Sequence, residues 1–155
     1  MSQLKHSEKI PLSQEDLERG LNFAKNTLRL AGREILPLFR SNLDSENKIS
    51  AGYDPVTLAD KKSEALIREE IAKYYPNHGV FGEEGGYTEG NGFTWVIDPI
   101  DGTRGFMAGM LHWGMLLALF DGEMPVVGVA YQPYSKELFY GFSNNSWLQR
   151  ANDAN

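Results

Sequence analysis

Cysteine is absent from the 155 residues. That removes thiol nucleophiles, disulfides and thiolate zinc sites, and it suits a reducing compartment. Long apolar runs are also missing: the longest, Gly114 to Phe120, is far too short to cross a bilayer. The stretch from Met1 to Pro11 has no apolar core of the kind a secretory leader needs, so none is expected. Basic residues are in deficit, 15 against 21 acidic ones, for a net charge of −6. A nucleic-acid polymer or an anionic membrane needs a basic footprint, so neither is an expected partner. A small phosphorylated metabolite is not excluded, because bound cations reverse the local field of an acidic pocket. The histidines, His6, His78 and His112, are widely separated and form no ligand pattern. There is no internal repeat and no low-complexity tract. What remains is 41% hydrophobic and 23% charged, the composition of one globular, cytoplasmic domain.

Two helices are expected first. Ser13 with Asp16 three residues on forms a capping pattern. Leu17, Leu21, Ala24, Leu28, Ala31, Ile35 and Leu38 then alternate at spacings of four and three, one apolar stripe of a long helix that Pro37 kinks or ends. Arg40 to Tyr53 reads as a polar loop. Thr57 and Asp60 open a second helix, with Leu66, Ile67, Ile71 and Tyr74 along it and Pro76 as its stop. After Asn77 short apolar runs alternate with turn residues. Strands are expected at Val80-Phe81, Thr94 to Ile97, Gly114 to Phe120, Val126 to Tyr131, Leu138 to Phe142 and Trp147-Leu148. Asp121-Gly122, Gln132 to Lys136 and Asn144-Asn145 are the turns, and a short helix follows Asp101. The fold class is therefore α+β, N-terminal helices packed on a mostly antiparallel sheet. The aromatics Trp95, Trp113, Tyr131 and Phe139 read as core and sheet residues.

Two acidic clusters carry chemistry. Gly82-Glu83-Glu84-Gly85-Gly86 follows a short strand, and Trp95-Val-Ile-Asp98-Pro-Ile-Asp101-Gly-Thr103 ends another. Crowded carboxylates raise one another's pKa unless a cation lies between them. Oxygen ligands without His or Cys suit magnesium or manganese better than zinc. Gly102-Thr103 then begins a helix, where backbone N–H groups can receive an anion.

The segment Asp98-Pro-Ile-Asp-Gly-Thr103 after Trp95-Val-Ile strongly resembles the first signature of the inositol monophosphatase family. Asp54-Pro-Val-Thr-Leu-Ala-Asp60, Gly82-Glu-Glu84 and the meander after Gly114 fit in the same order, so the resemblance runs from about Leu17 to Leu148. It implies the first half of a layered αβαβα fold and a magnesium-dependent phosphomonoesterase with two or more metal sites. Glu83, Asp98 and the Ile100 carbonyl would hold the first magnesium, and Asp98 and Asp101 would share a second. Glu84 would stand beside this shell and act through water. Glu83, Thr103 and Asp60 are the implied catalytic residues, with Thr103, oriented by Asp60, positioning the attacking water. The Gly102 and Thr103 N–H groups would grip the phosphate. The implied reaction is in-line attack by metal-activated water without a phosphoenzyme. A haloacid-dehalogenase phosphatase is disfavoured, because its two Asp residues lie two apart and here the interval is three. The resemblance also implies a homodimer and lithium sensitivity.

Plainer roles compete with several of these assignments. Asp60 in Thr-x-x-Asp caps a helix by itself, Glu83-Glu84 would otherwise be a solvated turn, and Asp-Gly is common turn chemistry. Arg104 and Lys48 suit the surface as well as a site, and packing suits His112 better than chemistry. The pattern also departs from the family in one place. A further metal-binding Asp is needed in a Trp-Asp segment, but Trp95, Trp113 and Trp147 precede Val, Gly and Leu. The expectation is a single N-terminal metal-binding domain over 1–155, cut short of a C-terminal domain, with weak catalysis and an exposed sheet edge. For the substrate, Asp98 to Phe106 with Gly109 and Trp113-Gly114 looks closest to the bacterial histidinol-phosphate phosphatase branch. Inositol 1-phosphate and 3′(2′),5′-bisphosphate nucleotides are the alternatives, and a catalytically silent metal- or phosphate-binding domain is the contrasting class.

Overall fold

The computed structural model describes residues 11–42, 44–47 and 55–151. Two helices lie on one face of a seven-stranded sheet. Helix α1 (Gln14–Ile35) starts at a capping box in which the Ser13 hydroxyl accepts from the Asp16 N–H at 3.1 Å. The Asp16 carboxylate in turn accepts from the Ser13 N–H at 3.1 Å. The helix gives way to a 3-10 turn at Leu36–Leu38, where Pro37 has no N–H to continue the ladder. Its stripe Leu21, Ala24, Leu28, Ala31 and Ile35 is buried. Helix α2 (Leu58–Tyr74) repeats the capping device with Thr57 and Asp60. Ile67 and Ile71 are buried, but Tyr74, expected on the stripe, is 57% exposed. Tyr74 is the last residue of the helix, and its ring meets Phe23 of α1 at 5.8 Å between centroids.

The strands are β1 (Ser45–Asn47), β2 (Pro55–Thr57), β3 (Gly79–Gly82), β4 (Gly86–Thr88), β5 (Thr94–Asp101), β6 (Gly114–Phe120), β7 (Pro125–Gln132), β8 (Glu137–Phe142) and β9 (Asn145–Gln149). The large sheet runs β4-β3-β5-β6-β7-β8-β9. All its pairings are antiparallel except β3 with β5. A five-residue helix, α3 (Thr103–Met107), interrupts the strands after Asp101, as expected. Three short strands, β1, β2 and β4, depart from the sequence reading. The stretch read as loop contains β1, which pairs with β2 in a separate two-stranded sheet. Strand β4 is a fully exposed edge with no apolar alternation to announce it. The last hairpin turns through Ser143 and Asn144, both with positive φ, 48° and 65°, the mark of a tight two-residue turn.

Alternation along β6 shows how the sheet is used. Met115, Leu117 and Leu119 are buried under the helices, whereas Leu116, Ala118 and Phe120 point the other way and are half-buried. Trp95 and Ile97 of β5 join the helix-covered face, 0% and 2% exposed. The opposite face is an open depression of about 710 Å³ whose lining includes Val96, Leu116, Ala118, Phe139 and Leu148, with Asp98 at its end. Phe139 is 49% exposed there, so it is a sheet residue but not a core one. No helix among the described residues is long and apolar enough to cross a membrane.

Candidate metal and phosphate site

The carboxylates meet at the end of β5. Asp98 pairs with Leu116 of β6 and Asp101 pairs with Gly114, so β5 carries one extra, bulged residue between the two aspartates. In an unbroken strand, residues three apart point to opposite faces. The bulge restores the phase, and both aspartates line one pocket of about 270 Å³ with Glu83, Ile100, Gly102, Thr103 and Arg104.

Asp98 is the most perturbed group of this cluster. Burial, then the neighbouring Glu83, Asp101 and Asp60 carboxylates, push it up to about 7. Glu83 lies within hydrogen-bonding reach of it. Its Oδ1 is buried and meets no hydrogen-bond donor among the described residues. A buried oxygen without a donor, amid acidic neighbours, is an environment that a cation completes. The donor set is oxygen-only, which fits magnesium. Among the described residues, however, no three acidic or histidine side chains already converge as a finished cage.

Thr103 links this pocket to the helical layer. Its hydroxyl lies 2.9 Å from Asp60 Oδ1 and 3.1 Å from the Ile100 carbonyl, both acceptors. Asp60 is fully buried. Its other oxygen, Oδ2, accepts from the Thr57 N–H at 2.8 Å and the Thr57 hydroxyl at 2.6 Å. Asp60 thus divides its oxygens: one caps α2 and the other accepts from Thr103. Gly102, at φ +86°, packs its Cα so close to the His112 carbonyl that a Cβ would overlap it. His112 therefore contributes backbone to this turn. His78 stacks among Tyr75, Phe93 and Trp95. His6, Lys48 and Asp54 lie outside the described residues. Arg104 is exposed at the pocket rim.

One contact behind the pocket wall escapes sequence reasoning. Glu64, inside α2, is 2% exposed and accepts the backbone N–H groups of Glu84 and Gly85, each at 2.7 Å. The only sequence signal for it is an acidic residue one helical turn after Asp60. A larger cavity of about 730 Å³ runs along α1 beside Arg19, Phe23, Tyr74 and His78. It lies apart from the clustered carboxylates, and its Asp16 and Arg19 are paired with each other.

Comparison with known proteins agrees with this geometry. The model of the inositol monophosphatase family matches residues 16–150. The chain is 39% identical over 130 residues to the fructose-1,6-bisphosphatase/inositol-1-monophosphatase of Aquifex aeolicus, covering 82% of this chain and 48% of that protein. It is 40% identical over 130 residues to the histidinol-phosphatase of Chlorobaculum parvum, covering 80% and 46%. The solved structure of extragenic suppressor protein suhB from Bartonella henselae superposes with a TM-score of 0.79 at 29% identity, over 84% of this chain and 52% of that one. The chain thus spans about half the length of the relatives it matches. With the signature segments, the α+β fold and a family match over nearly its whole length, the chain belongs to the inositol monophosphatase family.

Proposed function

We propose that this chain carries the metal- and phosphate-binding part of a magnesium-dependent phosphomonoesterase, with histidinol phosphate as the favoured substrate. The observation that carries the reading is the Asp98 carboxyl, buried beside Glu83 and Asp101 with an oxygen that no donor among the described residues satisfies. Glu83, Asp98, Asp101 and the Ile100 carbonyl would hold magnesium, in two or more positions. When bound, the metal supplies positive charge that offsets the carboxylates and polarises water and the phosphate oxygens.

The protein groups do the positioning. The Thr103 hydroxyl, donating to Asp60, keeps its oxygen lone pairs available to accept a hydrogen bond from water and so orient that water for attack. The Gly102 and Thr103 N–H groups are assigned to the phosphate oxygens. Water attacks phosphorus in line, the ester bond breaks, and the products are inorganic phosphate and the free alcohol. The histidinol phosphate assignment rests on the Asp98 to Phe106 stretch and on the 40% identity to a histidinol-phosphatase. The Aquifex relative, at 39%, carries inositol and fructose names, so substrates must be compared directly.

The test is magnesium-dependent phosphate release from histidinol phosphate, inositol 1-phosphate and adenosine 3′,5′-bisphosphate by the chain and by Asp98→Asn. Release that is fastest from histidinol phosphate and lost in the variant is expected. Preference for inositol 1-phosphate would overturn the substrate. Absence of release with retained Mn²⁺ binding would favour the contrasting reading, a silent metal- or phosphate-binding domain.

A further inference from the structure

Asp60, Glu64 and Arg68 recur every fourth residue and so lie on one stripe of α2. The first two are 0% and 2% exposed. A buried carboxylate is tolerated only where its oxygens are satisfied, and each of these is satisfied by a different piece of the pocket wall. Asp60 holds Thr103. One helical turn later, about 6 Å along the axis, Glu64 takes the Glu84 N–H on Oε2 and the Gly85 N–H on Oε1. Arg68 Nε donates to Glu64 Oε1 at 2.8 Å, and the same guanidinium donates to the Gly86 carbonyl.

The turn has been trimmed to fit this carboxylate. A Cβ at Gly85 would lie 2.7 Å from Arg68 Nε and 2.8 Å from Glu64 Oε1, and one at Gly82 would overlap the Glu64 carboxylate itself. Glu83 sits between Gly82 and Glu84, so the chain on either side of it is seated on Glu64. A displacement of this turn moves the Glu83 carboxylate relative to Asp98. The contact spans about 20 residues of sequence and ties the turn between β3 and the exposed edge strand β4 to helix α2.

We infer that Glu64, oriented by Arg68, is a positioning residue that sets the approach of Glu83 to Asp98. Helix α2 thereby fixes both arms of the pocket from one rigid element: Thr103 through Asp60, and Glu83 through Glu64. This rests on the reading of Glu83 and Asp98 as metal ligands.

The experiment compares the full chain with Glu64→Gln, Arg68→Lys and Ser63→Ala. Mn²⁺ affinity is read by electron paramagnetic resonance, and amide hydrogen exchange is followed at Glu84 and Gly85. Ser63 is the control, because its hydroxyl is buried on the same helix but bonds only to the Ala59 and Asp60 carbonyls. Glu64→Gln keeps the shape of the side chain but loses the charge and one acceptor. It is expected to speed exchange at Glu84 and Gly85 and to weaken Mn²⁺ binding about 10- to 100-fold, as removal of an outer-shell partner does. Arg68→Lys, with its larger exposure, should move both readouts the same way by less. Ser63→Ala should lower the melting temperature without moving either.

Fast exchange in Glu64→Gln with wild-type Mn²⁺ affinity would overturn the positioning role and leave a structural clamp. Failure of the wild-type chain to bind Mn²⁺ would remove the metal reading of Glu83 and the role of Glu64 with it. If Glu64→Gln does not fold, wild-type affinity in Arg68→Lys with faster Gly85 exchange would be equally fatal.

Discussion

The two long helices pack on the same face of the same sheet and begin with the same capping box, yet they bury different chemistry. Helix α1 turns Leu21, Ala24, Leu28, Ala31 and Ile35 inward, with Thr27 its one buried polar residue capable of side-chain hydrogen bonding. Helix α2 turns Asp60, Ser63 and Glu64 inward beside Ile67 and Ile71. Apolar burial on α1 is non-directional and serves stability. Each buried carboxylate on α2 is committed to a named partner in the candidate site, so that helix has exchanged hydrophobic stabilisation for positional control. Two helices of similar place in the fold thus answer to different demands.

Substitution should separate those demands. The largest expected stability effect lies on α1: Leu28→Ala removes a fully buried side chain and should cost about 2–5 kcal/mol. Denaturant titration reads the loss, and Mn²⁺ affinity of the folded fraction should be unchanged. A parallel drop in affinity would mean that α1 also shapes the site, and the contrast would fail.

The twin caps sharpen the comparison at smaller scale. Ser13→Ala and Thr57→Ala each remove a cap hydroxyl, for about 1 kcal/mol in stability. Ser13 is exposed and remote from the pocket, so phosphate release should survive its loss. Thr57 is 1% exposed and holds Asp60 Oδ2. Its loss leaves Asp60 Oδ2 with the position-57 N–H alone and loosens its aim at Thr103, and release should fall about tenfold. Equal activity in both variants would show that Asp60 needs no second anchor.

The smallest effect is a titration. Hydrogen bonds from Ser13 and then Arg19 hold Asp16 down at about 2, from an ordinary 3.8. With the folded pKa below the unfolded one, the contribution is complete above 3.8 and is lost as pH falls through about 2. The Asp16 carboxyl carbon, followed by NMR, should therefore titrate near 2. A midpoint at the ordinary value would mean that the α1 capping box is not held in solution.

Much of this was legible in the chain because it is local. Gly114 to Phe120 reads as a strand from composition and length, and the structure gives the same bounds. The stripe from Leu17 to Ile35 reads as a helix from its spacing, and Pro37 marks its end. The segments around Asp60, Glu83 and Asp98, each singled out in the chain, lie close together, with Thr103 on Asp60 and Glu83 beside Asp98. What escaped is what depends on distance or on backbone. Strand β4 is three exposed residues held by pairing with β3. Glu64 looks like a solvated helix residue until the loop carrying Glu84 and Gly85 is folded over it. Buried polar residues also blur the very periodicity by which helix α2 would have been oriented.

The bulge in β5 has a consequence for how this site tolerates change. Two aspartates placed two apart on a regular strand would face the same way without any irregularity. What the extra residue adds is a stretch, Pro99-Ile100, with no partner in the register of β6. The Ile100 carbonyl is thereby released from the ladder to lie at the pocket, within 3.1 Å of the Thr103 hydroxyl. It is a pocket oxygen placed by chain length rather than by side-chain identity. A survey of substitutions at position 100 would report a core isoleucine, 1% exposed, and nothing more. Only a deletion, which keeps both carboxylates on one face but returns that carbonyl to the ladder, would show what the backbone contributes.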